Sequence, residues 1–142
     1  MAFLFHNADH PFRCPQRKKI RAWVRGFAEH HGKRIGEISI VFCSDDYLLE
    51  VNKSHLNHDY YTDIITFDYS EGDELSGDLM LSIDRVKDNA LTHKQLFFNE
   101  LIRVIIHGHL HLIGYKDKTK EEALIMRNQE DLWIERFHQI EP

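Results

Sequence analysis

Two histidines and a carboxylate stand at spacings that can hold one metal ion. His107 and His111 are four residues apart, which on a helix puts both imidazoles on one face, about one turn from each other. Gly114 lets the chain leave that helix and turn, because glycine accepts positive φ. Asp117 then comes round as the candidate third ligand. Written out, HGHLHLIGYKD has the form H-x-x-x-H-x-x-G-x-x-D. That is the spacing of the longer zinc signature H-E-x-x-H-x-x-G-x-x-H, with two changes. Three protein ligands leave a coordination position open, as catalytic zinc sites do. A pair of hydrogen-bonded core histidines is the plainer alternative, but it does not explain the glycine and the carboxylate at these offsets. One zinc ion per chain is the expected cofactor.

The first change is Gly108, where a zinc peptidase carries the glutamate that serves as general base. Glycine moves no proton, so an ordinary metallopeptidase is disfavoured. Arg103 lies one turn before His107 and Glu100 two turns before. Both could reach the same helix face, and Glu100 could hydrogen-bond a ligand histidine from outside. An ion pair is the competing role for both. His109 points off the ligand face and reads as structural or exposed. His30, His31, His55 and His58 lack metal-like spacing and read as solvated polar residues.

A second constellation is electrostatic. The net charge is −5, which alone argues against nucleic acid. Yet residues 1–34 hold eight Lys/Arg against two acids, and residues 35–142 hold ten against twenty-one. Such asymmetry can create an anion-binding face on an acidic protein. Arg17, Arg21 and Arg25 recur every four residues and form one helical stripe, a candidate phosphate contact. A solvated polar face is the alternative.

The elements that must position these groups follow from periodicity. Phe3–Phe5 suggests a short strand. Ile20, Trp23, Val24 and Phe27 recur at helical spacing, with Gly32 as the stop. Ile38, Ile40 and Phe42 alternate as a strand, and Ser44 can cap a short helix after it. Ile65, Phe67 and Tyr69 alternate, as do Leu79, Leu81 and Ile83, and SEGDELSG between them has turn chemistry. From about Gln95 to Ile113 the chain is apolar on most sides, which predicts a central buried helix carrying the histidines. Thr119 and Glu122 have capping-box spacing for a last helix. Together these predict an α+β chain: a single domain over residues 1–142, with a small mixed β-sheet packed by helices.

Composition bounds the setting. No run of eighteen apolar residues exists, so no membrane span is expected, and the N-terminal stretch lacks the regions of a secretory signal. Two cysteines make no disulfide framework. A cytoplasmic location fits.

HGHLHLIGYKD, with TDIITF at 62–67 and GDLMLS at 77–82, resembles the YbeY family of bacterial metal-dependent endoribonucleases, which mature ribosomal RNA. The three blocks occur in the family's order and span most of residues 35–120. The resemblance implies a mixed sheet with the metal-bearing helix beneath a groove, zinc, and single-stranded RNA as substrate. It implies ribosomal RNA as partner, with the small ribosomal subunit as a further one. His107 and His111 match the family's first two metal histidines, and its third falls on Asp117. The family arginine that precedes the T-D-V-L-S-F strand falls on Leu56. His58, close by, is a candidate to replace that cation.

The expected function is therefore a single-strand-specific endoribonuclease of ribosomal RNA maturation and quality control, with Arg103, Glu100 and His58 as candidate catalytic residues. Two alternatives stand beside it. One is a non-catalytic ribosome-associated module with a structural zinc. The other is a zinc hydrolase of another substrate class.

Overall fold

A computed structural model describes residues 2–141. The elements are β1 (Ala2–Asn7), α1 (Arg17–His30), β2 (Arg34–Cys43), α2 (Asp45–Leu56), β3 (Ile64–Asp68), β4 (Glu74–Ser82), α3 (Ile83–Thr92), α4 (Phe97–Leu112) and α5 (Lys120–Gln139). The strands form one sheet in the order β1-β2-β4-β3. β1 and β4 both run parallel to β2, and β3 pairs antiparallel with β4. The expected α+β class and mixed sheet are therefore what the chain adopts. The residues of the expected domain's two ends, Met1 and Pro142, lie outside the described ones.

Alternation divides the sheet into two faces. Ile38, Ile40 and Phe42 of β2 and Leu75, Leu79 and Leu81 of β4 are buried in the main core with α1, α4 and α5. Ile65 and Phe67 of β3 and Met80 of β4 turn to the other face, where Leu48 and Val51 of α2 cover them. Ile64 points back to the main core, so β3 presents Ile64 and its period-two neighbour Thr66 toward α4.

α4 is buried around most of its circumference, as its sequence requires. It is pressed closely onto the hairpin. A Cβ on Gly108 would sit 2.6 Å from Leu79 Cδ2 and 2.8 Å from Ile64 Cδ1. The residue that replaces the peptidase glutamate is thus the contact point between the ligand helix and the sheet.

One element departs from the expectation. Ile83 continues the alternation of Leu79 and Leu81 but does not belong to the strand. β4 ends at Ser82, whose hydroxyl accepts from the backbone N–H of Arg85 and caps α3. Ser82 followed by Asp84 is an N-terminal helix signal, and the strand periodicity masked it. The helix capped by Ser44 is also longer than expected, twelve residues, ending at Asn57 in the left-handed region.

Candidate metal centre

The last turns of α4 present His107 and His111 side by side. Their Nε2 atoms are 3.0 Å apart and their ring planes stand at 82°. Gly114, at φ 106°, reverses the chain, and the N–H of Tyr115 donates to the carbonyl of Leu110 across the turn. The returning loop carries Asp117. Its Oδ2 lies 3.3 Å from His107 Nε2 and 3.5 Å from His111 Nε2. Two residues later Thr119 and Glu122 form a reciprocal capping box, which fixes the far end of the loop as α5 begins. The ligand loop is therefore held at both ends.

The other ring nitrogens decide what the three atoms can do. His111 Nδ1 is 2.9 Å from the carbonyl oxygen of Tyr115. A carbonyl only accepts, so Nδ1 carries the hydrogen and Nε2 the lone pair. His107 Nδ1 is 2.6 Å from Oε2 of Glu130, a carboxylate in the middle of α5. It donates there, and in the neutral ring Nε2 again carries the lone pair. Two lone pairs and a carboxylate oxygen thus converge on one point. These three ligand atoms all lie within 4.8 Å of one another. Such a set repels itself unless a cation or a proton lies between its members, and its donors are the N and O atoms that zinc takes. The geometry fits the ion that the spacing suggested. Burial opposes a charge on the His107 ring, but the Glu130 hydrogen bond and the negative charges of Glu130, Asp63 and Asp117 together outweigh it, and the pKa is raised above its ordinary value.

Glu130 is the residue that sequence reasoning missed. It is buried, accepts from His107 on one oxygen and from Arg103 Nη1 at 2.9 Å on the other. Arg103 also donates to Asp131 at 2.6 Å. Glu100 does not take the place suggested for it beside a ligand histidine. It is buried one turn too far back, nearest His93 Nδ1 at 4.0 Å, and burial raises its pKa against the opposing charge of Arg103. The only signal for Glu130 was its place in a helix after the ligand loop, and several other acids of α5 share it.

A groove of about 600 Å³ opens over the three ligand candidates. One wall carries His107, His111, Asp117 and Lys118, and the other carries Leu56, His58, Tyr60, Thr62, Asp63 and Thr66. His58 thus lies in the groove and its ring is stacked on Tyr60, with centroids 5.2 Å apart. Asp63 is half-buried, and burial raises its pKa against the pull of His107. Arg17, Arg21 and Arg25 line no part of this groove. Arg17 and Arg21 pack over the Phe5 ring of β1, and Arg21 Nε donates to the carbonyl of Phe3 at 3.0 Å. β1 is the edge strand farthest from β3. His109 is buried and donates from Nδ1 to the carbonyl of Ile105 at 2.8 Å, and His30 and His31 pack on Trp133.

A mixed four-stranded sheet, with a two-histidine helix and a returning carboxylate under a groove, defines a class of metal-binding α+β proteins. The family described as Endoribonuclease YbeY matches residues 6–138, and the chain belongs to that family. It is 47% identical over 131 residues to Endoribonuclease YbeY of Parabacteroides distasonis, covering 92% of each chain. It is 53% identical over 116 residues to the Phocaeicola vulgatus relative of the same name, covering 82% of this chain and 84% of that one. The solution structure of TM1509 from Thermotoga maritima shares the fold, with a TM-score of 0.66 at 23% identity, covering 96% of this chain and 89% of that one.

Proposed function

We propose that this protein is a zinc-dependent endoribonuclease that cuts single-stranded RNA in ribosomal RNA maturation and quality control. The observation that carries the reading is the convergence of His107 Nε2, His111 Nε2 and Asp117 Oδ2 at the floor of an open groove. Membership of a family whose curated members are named endoribonucleases supplies the reaction class. His107, His111 and Asp117 hold the ion. The chemistry such an ion supplies is Lewis acidity toward a phosphoryl oxygen and a lowered pKa for water. Glu130 orients His107, and Arg103 holds Glu130, so Arg103 acts as a positioning residue. Of the remaining candidates, His58 borders the groove and can donate toward a phosphate, and Glu100 sits on the ligand helix two turns before His107, outside the groove. Arg17, Arg21 and Arg25 serve as a separate contact for RNA phosphates. Ribosomal RNA, with the small ribosomal subunit, is the partner in this reading. The two cysteines are free and buried, which suits a cytoplasmic setting.

The test is zinc analysis of the purified protein together with cleavage of a single-stranded RNA. One zinc per chain and cleavage that chelation removes and zinc restores are expected. One observation favours a second reading, a non-catalytic ribosome-associated module with a structural zinc. Leu56 lies in the groove where the family pattern carries arginine, and Lys118 is the one Lys or Arg among the described lining residues. Bound zinc without any chelator-sensitive cleavage would select that reading.

A further inference from the structure

The described groove wall facing the ligands carries no Lys or Arg where a phosphate-binding wall would be basic, and one stretch of it is aromatic and apolar. Tyr60 is 55% exposed and Leu56 41% exposed, and both line the groove with His58. The rings of His58 and Tyr60 lie nearly parallel, at 21°, and the Tyr60 hydroxyl is 3.0 Å from His58 Nδ1. The pair is held in place from below. Buried Asn52 accepts from the His58 N–H on its backbone carbonyl at 3.1 Å. Its side-chain Nδ2 donates to the Tyr60 carbonyl at 2.9 Å. Charge in the groove does not favour a phosphate backbone, because Asp63, Asp68 and Asp117 stand against Lys118. Affinity for a strand there has to come from its bases, and a flat, half-exposed ring offers what a base can use.

We propose that His58 and Tyr60, flanked by Leu56, form a stacking platform for one unpaired nucleobase next to the phosphate at the metal centre. The platform would select single strands, because a base in a duplex is not free to leave its neighbours. This inference rests on the endoribonuclease reading. It adds a subsite that the metal ligands do not require.

The experiment measures both steady-state cleavage and equilibrium binding of one single-stranded RNA by the zinc-loaded protein. Tyr60→Ala is expected to raise KM and Kd about 10-fold, within the worth of one base–aromatic stack, while kcat changes little. Tyr60→Phe keeps the ring and is expected to restore both. Tyr69→Ala removes an equally exposed ring outside the groove, at 58% exposure, and is expected to change neither. Removing the base at one position of the RNA should weaken binding to the wild type by the same factor and add nothing in Tyr60→Ala. An unchanged Kd in Tyr60→Ala overturns the platform, as does a loss that is the same for RNA with and without that base. Binding that depends on Tyr60 without cleavage by the wild type would keep the platform and sink the endoribonuclease reading.

Discussion

Oε2 of Glu130 lies 2.6 Å from Nδ1 of His107, across 23 residues of sequence. The contact gives the ligand histidine its tautomer and its angle. A carboxylate behind a metal-binding imidazole also raises its basicity, and removing one typically weakens metal affinity 10- to 100-fold. Glu130→Gln is expected to weaken zinc binding by roughly 10-fold, because the amide oxygen can still accept without the charge. Glu130→Ala is expected to be worse and to destabilise the fold, since half-buried Arg103 loses one of its two carboxylate partners. Competition with a chromogenic chelator reads the affinities, and equal zinc affinity in all three proteins would deny Glu130 its orienting role.

Asp117 is one of three candidate protein ligands among the described residues, so its removal should cost more than that of Glu130. Asp117→Ala is expected to lower zinc affinity more than 100-fold, beyond the usual range for an outer partner. Asp117→His is expected to keep the metal and move any zinc-dependent activity toward lower pH, because one negative charge leaves the ligand set. Full zinc occupancy in the alanine variant would show that another group completes the site.

Gly108 sets two effects against each other. Alanine in a helix interior gains about 1 kcal/mol over glycine. Its Cβ, however, would press on Leu79 and Ile64 at 2.6 and 2.8 Å, and overpacking a core costs about 1–3 kcal/mol. Leu79 is fully buried and has little room to yield, so the second effect wins. Gly108→Ala is expected to destabilise by about 1 kcal/mol in urea unfolding, and Gly108→Glu should not fold. A more stable alanine variant would mean that the ligand helix can lift off the sheet.

His109 gives the fold an acid sensitivity. The ring is fully buried, and burial lowers its pKa from 6.5 to about 4. Between those values the unfolded chain binds a proton that the folded chain refuses. Its contribution is intact above pH 6.5 and falls as the pH drops toward 4, by roughly 3 kcal/mol in all. His107 has the opposite sign in the metal-free protein. Its pKa is raised, so its contribution is full below pH 6.5 and is lost as pH rises through the folded value. Denaturant unfolding of His109→Phe should show a flatter acid limb than the wild type. A limb of unchanged slope would place the sensitivity elsewhere.

The basic stripe is tested by salt. Alanine at Arg17, Arg21 and Arg25 together is expected to weaken RNA binding and to flatten its dependence on salt, by a slope of about 0.7 for each phosphate that no longer meets a cation. Zinc content should stay the same, since Arg17 and Arg21 pack on Phe5 and no residue of the stripe lines the metal groove. An unchanged salt slope would leave the stripe as a solvated face.

What could be read in advance was local. The three ligand candidates fall within eleven residues, and helical geometry with one glycine turn brings them together. Thr119 and Glu122 announced their capping box for the same reason. Glu130 was not legible, because which acid of α5 meets His107 depends on how two helices dock. Glu121, Glu122, Asp131 and Glu135 were equal candidates by composition. The β4–α3 junction failed differently. Ile83 satisfies a strand pattern and a helix pattern at once, and the hydrogen bond from Arg85 to Ser82 decided it. The aromatic groove wall depends on the path of the loop after α2, which buried Asn52 sets.

The docking of α5 also has a consequence in time. Chains are made from the N-terminus, and α5 is the last of the described elements to emerge. A nascent chain that has reached Asp117 already holds all three ligand candidates but lacks the carboxylate that orients the first. In the partial site His111 has its Tyr115 partner but His107 is free to turn, so the metal affinity expected of it is the weaker one of Glu130→Ala. The site's full grip on a metal therefore arrives with α5, because the carboxylate that orients His107 is the last of its described groups to be made.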